Sequence, residues 1–284
     1  LVHMITASYL TTAFVVGGAG GLYLWGKRHI PQAKIMLGMA TIMAILVAPL
    51  QVVIGDMHGL NTLKHQPAKV AAMEGLYATG SSVPLILFGW PDDDLETVSH
   101  RIEIPKLASL ILTHDSNGEI KGLSEWPKED RPPVLAVFLS FRIMVGIGLI
   151  MVFIGVISTI QYFRNKLFES TWLHCWWTLM IPSGFIAILS GWFVTEIGRQ
   201  PWTAYGIIRT AESVSPAILG PQVAWSLLAF VIMYSFVFGA GIYYVIKLIK
   251  KGLPVTQETE QFYKHGIGAA VTEGNINNGD NNYV

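Results

Sequence analysis

The sequence predicts an all-α integral membrane protein: a bundle of five transmembrane helices with one long extracytoplasmic loop between the second and the third. Three observations predict it. Apolar residues make up 52% of the 284 residues and charged residues 13%, with mean hydropathy +0.47, whereas a soluble domain carries about 25% charged residues. Five runs, 2–25, 35–54, 134–163, 172–195 and 223–249, reach the roughly 20 apolar residues that cross a bilayer. Basic residues recur at every second connection: Lys27, Arg28 and Lys34, then Arg164 and Lys166, then Lys247, Lys250 and Lys251. These mark the cytoplasmic side. The chain start, residues 56–133 and the loop 198–222 then face outward. The chain divides into residues 1–55 (two helices), 56–133 (the outer loop), 134–250 (three helices) and 251–284, a polar, Asn/Gly-rich tail that reads as disordered.

A formal net charge of zero supplies no basic field for nucleic acid. The single cysteine, Cys175, excludes an internal disulfide framework and a cysteine-held metal cluster. Set between His174 and Trp176 in an apolar run, it reads as a buried, inert thiol.

In the first run, Gly17-Gly18-Ala19-Gly20-Gly21 reads as a surface for close helix packing. No strand precedes it, so it is not a phosphate loop. His3, near the outer end, is a functional candidate set against an ordinary interfacial histidine. The second run leads into residues 56–133, too long for an idle connection. That loop contains Gly55-Asp56 at its start and then His65-Gln66-Pro67-Ala68-Lys69-Val70-Ala71-Ala72-Met73-Glu74. Lys69 and Glu74 fall on neighbouring faces of a short helix, and a solvated surface helix is the plain reading. Residues 102–112, apolar but short, predict an interfacial or re-entrant helix. His58, His65, His100 and His114 read as solvated loop residues. His29 sits among cytoplasmic basic residues, His174 in an aromatic belt with Trp172, Trp176 and Trp177, and His265 in the tail.

The third run carries Arg142 and Met144. An arginine inside a span costs at least a few kcal/mol and needs a partner anion or a cavity. Methionine alone reads as packing, but histidine with methionine is an axial pair for low-spin haem, and Arg142 would offset a propionate charge. At 1.5 Å per residue, His3 stands about 33 Å along its helix from Trp25 and Met144 about 29 Å from Phe163. Both therefore fall near the outer surface. The fourth run leaves the membrane through Gly191-Trp192-Phe193-Val194-Thr195-Glu196-Ile197-Gly198-Arg199-Gln200-Pro201-Trp202. Pro201 drives Gln200 out of helical geometry and ends the helix. The plain reading here is an interfacial turn with an aromatic anchor.

Four stretches resemble subunit I of the cytochrome bd quinol oxidases: Leu1-Val2-His3; Gly55-Asp56 with Lys69 to Glu74; Ser140-Phe141-Arg142-Ile143-Met144-Val145-Gly146; and Gly191-Trp192, Glu196 and Gly198-Arg199-Gln200-Pro201-Trp202. The resemblance runs from about residue 1 to residue 250. It implies a multi-pass subunit of a terminal oxidase of aerobic respiration in the bacterial cytoplasmic (inner) membrane. Lys69 and Glu74 would serve quinol oxidation at the outer face. Electrons would pass through haem b558, held by His3 and Met144 with Arg142 as charge partner, to a high-spin pair, haem b595 and haem d or a third haem b, which reduces O2 to water. Glu196 would ligate a high-spin haem, with Trp192 packed nearby and Arg199 and Gln200 in the same binding region. Subunit II is the implied partner, with room for a small single-span subunit. The family's N-terminal helices, with a haem-ligating histidine and proton-delivery glutamates, are absent, so a C-terminal part of subunit I is expected. The short outer loop resembles the cyanide-insensitive branch. The competing readings are a haem-free transporter or channel subunit with Arg142 and Glu196 lining its path, and a haem scaffold that binds no quinol.

Overall fold

The computed structural model describes residues 1–252. In chain order the elements are α1 (Val2–Trp25), α2 (Ile30–His65), α3 (Pro67–Glu74), β1 (Gly80–Ser81), β2 (Leu85–Asp92), β3 (Thr97–Ile104), α4 (Leu107–Thr113), β4 (Glu119–Ile120), α5 (Val134–Phe163), α6 (Thr171–Leu179), α7 (Ser183–Ile197), β5 (Trp202–Ala204), β6 (Ile208–Arg209) and α8 (Gly220–Lys251). Among the described residues, five helical segments are long and apolar enough to cross a membrane, α6 and α7 together making the fourth. The strands form three antiparallel pairs, β1 with β4, β2 with β3 and β5 with β6. They ornament the connections of a helical protein.

Several boundaries differ from the expectation, each for a local reason. The second helix does not stop near residue 54 but runs to His65. Its first strong stop is Gln66, held outside helical geometry (φ −140°) by the ring of Pro67, and Pro67 then opens α3. The expected helix at 102–112 begins only at Leu107. Ile102-Glu103-Ile104 alternates with the period of a strand and pairs with β2. The fourth span breaks between α6 and α7, where Pro182 cannot donate to the helical ladder. The tail lies outside the described residues from position 253 onward.

Two compact units make up the chain. Among the described residues, one comprises Leu1–Thr12, Met43–Phe153 and Pro182–Val214; the other comprises Ala13–Ile42, Ile154–Ile181 and residues 215–252. In the second unit, the glycines of α1 do serve close packing. A Cβ on Gly17 would come within 2.4 Å of the Trp177 ring. Trp177 stacks on Phe14 at 4.8 Å and donates through Nε1 to Ser158 Oγ at 2.9 Å. His174, expected at a wet interface, is buried, with Nε2 2.9 Å from the Leu167 carbonyl oxygen. Cys175 is exposed rather than buried. It shares a face with Trp172, Trp176 and Leu179, while Leu173, His174 and Trp177 turn inward. An apolar run does not tell inside from outside when the outer solvent is also apolar. α8 buries none of its residues.

The first unit has its core where the outer loop packs on α5 and α7. Ala71, Ala72 and Met73 of α3 pack with Ile86 and Val98 of the β2–β3 hairpin, Val137 and Phe138 of α5, and Val194 of α7. α3 closes on Gly75 in the left-handed region (φ +68°), where a side chain would also press on Phe138 and Val98 at 3.2 Å. That position requires glycine on both counts.

Candidate functional site

Seven of the eight residues of α3 are buried, Lys69 and Glu74 among them. The plain reading of a solvated helix therefore fails. Each of the two ionisable groups is tied to a different long helix. The Lys69 ammonium donates to the Thr195 carbonyl oxygen of α7 at 3.1 Å. Its stem rests on Gly198, where an added Cβ would stand 3.0 Å from Lys69 Cε. Glu74 Oε2 accepts from Arg142 Nη2 of α5 at 2.7 Å. The Arg142 Nε–H goes to the Ile86 carbonyl oxygen of β2 at 2.6 Å. Its guanidinium lies 4.7 Å from the Phe138 ring centroid and 5.3 Å from that of Phe141, a cation–π clamp. Arg142 was expected to need a partner anion; within the chain that anion is the carboxylate of Glu74.

Burial pushes the Lys69 amine down to about 8, with Arg199 adding to the depression and Glu196 opposing it. Arg199 Nη2 and Glu196 Oε1 form an ion pair at 3.1 Å. Glu196 and Trp192, one helical turn apart, lie on the exposed face of α7. The Gln200 amide oxygen accepts from the Thr210 hydroxyl at 2.9 Å. Trp202 lies under Arg209, which reaches Asp130 at 2.6 Å.

A cavity of about 350 Å³ opens beside Lys69, lined by His58, His65, Gln66, Arg199, Thr203 and Tyr205, among others. Glu74 is not among its lining residues. Gln66 lines the cavity, and its Oε1 is buried without a hydrogen-bond partner. An orphaned buried acceptor costs about 1–3 kcal/mol.

His3 and Met144 are both half-buried. The His3 ring stacks on His58 at 5.8 Å, and both its nitrogens lie within 3.4 Å of the Gln51 amide nitrogen. A Cβ on Gly55 would meet the His3 ring at 3.4 Å, and one on Gly191 would meet Met144 Sδ at 2.8 Å. Gly146 and Gly148, beside Met144 on α5, have nothing within 4 Å of such a Cβ. Imidazole and thioether form the donor set that suits a low-spin haem, and each is backed by a glycine.

The family model for cytochrome bd terminal oxidase subunit I matches residues 1–253. The chain belongs to this family. It is 32% identical over 286 residues to cytochrome bd ubiquinol oxidase subunit 1 of Bacillus subtilis strain 168, covering 94% of this chain and 61% of that one. It is 26% identical to cytochrome bd-II ubiquinol oxidase subunit 1 of Escherichia coli strain K12, over 92% of this chain and 63% of that protein. The bd oxidase structure from Geobacillus thermodenitrificans superposes with a TM-score of 0.78 at 30% identity, over 88% of this chain and 57% of the other. The chain spans about 60% of the length of these relatives. Within this bd-family chain, sequence reasoning missed the Glu74–Arg142 pair, the Gln51 contact and the cavity-facing histidines. Only the histidines had a legible signal. His58, Asn61, Thr62 and His65 share one helical face, once α2 is known to continue past Asp56.

Proposed function

We propose that this chain forms the quinol-oxidising end of a terminal respiratory oxidase in the bacterial cytoplasmic membrane, one that draws electrons from quinol at the outer face and delivers them to O2. The observation that carries the reading is the burial of Lys69 and Glu74 on one short helix, each fastened to a different long helix. Burying ionisable groups is costly unless they are paired, and a connecting loop without a task has no reason to bear that cost. Lys69 presents a donor, or above about pH 8 an acceptor, to the cavity where the quinol ring would sit. Glu74 works through Arg142, fixing α3 and β2 against α5.

His3 and Met144 would hold haem b558, and Glu196, with Trp192 one turn away, one iron of the high-spin pair, haem b595 with haem d or a third haem b. When bound, these groups supply one-electron transfer and the four-electron reduction of O2 to water. The fit of glycine-backed imidazole and thioether supports the first assignment. Glu196, a carboxylate on an exposed apolar face beside Trp192, supports the second. Subunit II is the partner this reading requires, with a small single-span subunit as a further candidate. The transporter reading needs Arg142 free to line a path, yet it is buried in an ion pair with Glu74 within the chain.

Quinol oxidation by membranes bearing Lys69→Ala or Glu74→Ala tests the proposal. Each variant should lose most of its turnover while the haem spectrum persists. Full turnover in both would leave a haem scaffold without a quinol site.

A further inference from the structure

Among its lining residues the cavity beside Lys69 has no carboxylate. Converting a quinol to a quinone releases two protons with two electrons, so the site needs a base at the hydroxyl. Glu74 is committed to Arg142 and does not line the cavity. Arg199 cannot take a proton. Lys69, pushed down only to about 8, is still an ammonium at neutral pH and has no lone pair to offer. His65 is different. It closes the cavity-facing row of α2 that begins at His58. Its Nδ1 lies 2.9 Å from the Asn61 carbonyl oxygen, which can only accept. The ring proton therefore sits on Nδ1, and Nε2 keeps its lone pair. His65 is also exposed, so a captured proton has a way out to solvent. Next to it stands the unpartnered Gln66 Oε1.

We propose that His65 is the base that takes the quinol hydroxyl proton in this cavity. The inference rests on the quinol reading given above. In the step, a quinol O–H bond breaks and an N–H bond forms at His65 Nε2. The quinol is oxidised, and one electron leaves to a one-electron carrier of the haem class. His65 gives the proton to solvent and accepts the second as the second electron leaves, completing the quinone. The titratable and charged groups facing His65 are Lys69 of α3, Arg199 with its Glu196 at the end of α7, Tyr205 after β5, and His58 on its own helix.

The test uses the membrane-embedded oxidase with a short-chain ubiquinol as donor. His65→Gln should lower kcat about 100-fold, the scale of one general base, with KM unchanged and the low-spin haem spectrum intact. His65→Ala should recover turnover when imidazole is added to the buffer. Wild-type kcat in His65→Gln would overturn the proposal, as would a His65→Ala variant that imidazole does not rescue. Lys69→Ala separates the two levels: if it too keeps full turnover, the quinol reading itself fails, whereas loss in Lys69→Ala alone removes only His65.

Discussion

Lys69 is the residue in which burial, charge and access meet. Its depression to about 8 comes first from burial and then from Arg199, against Glu196. The sign follows from the charged form being disfavoured. Below about pH 8 the ammonium is kept at a cost to the fold, and the cost fades as pH rises through 8 toward the ordinary lysine range. An amine-directed reagent should therefore label Lys69 with a midpoint near pH 8, readable by mass spectrometry. Arg199→Leu should move that midpoint up, because it removes a cation and frees the Glu196 carboxylate. A second residue-scale prediction concerns Glu74. Its side chain is 7% exposed and that of Arg142 15%. Glu74→Ala strands a buried guanidinium, which should cost about 3–5 kcal/mol. Arg142→Leu in the same chain should restore much of that loss, measured by thermal unfolding in detergent.

Elements hold these residues in place, and glycines set how closely the elements approach. A Cβ on Gly198 would stand 3.0 Å from Lys69 Cε and 2.4 Å from the Val194 carbonyl oxygen. Gly198→Ala should therefore lower quinol turnover by displacing Lys69, with the haem spectrum preserved. The five apolar runs were readable because length and hydropathy alone identify a membrane-spanning helix. The helical stop at Gln66 was equally present in the sequence, since Pro67 follows it, but the run of apolar residues ended earlier and masked it. Glu74 and Arg142 are separated by 68 positions, and no local pattern announces a pair at that distance. Motif wording placed His3, Met144 and Glu196 as candidates. It did not indicate that glycines of neighbouring elements back the first two, because that depends on which helices adjoin. The facing of His174 and Cys175 was hidden for a related reason: both faces of a membrane helix are apolar.

For the whole molecule, family membership and the fitted structure agree over nearly all of this chain, while covering about 60% of its relatives. The central claim is that the chain holds a low-spin haem through His3 and Met144 beside a quinol site built on α3. The most direct test is a reduced-minus-oxidised optical spectrum of membranes containing the oxidase, compared with the same membranes bearing Met144→Leu. The account predicts a low-spin b-type α-band in the first that is lost or turned high-spin in the second. An unaltered low-spin band in Met144→Leu would contradict it.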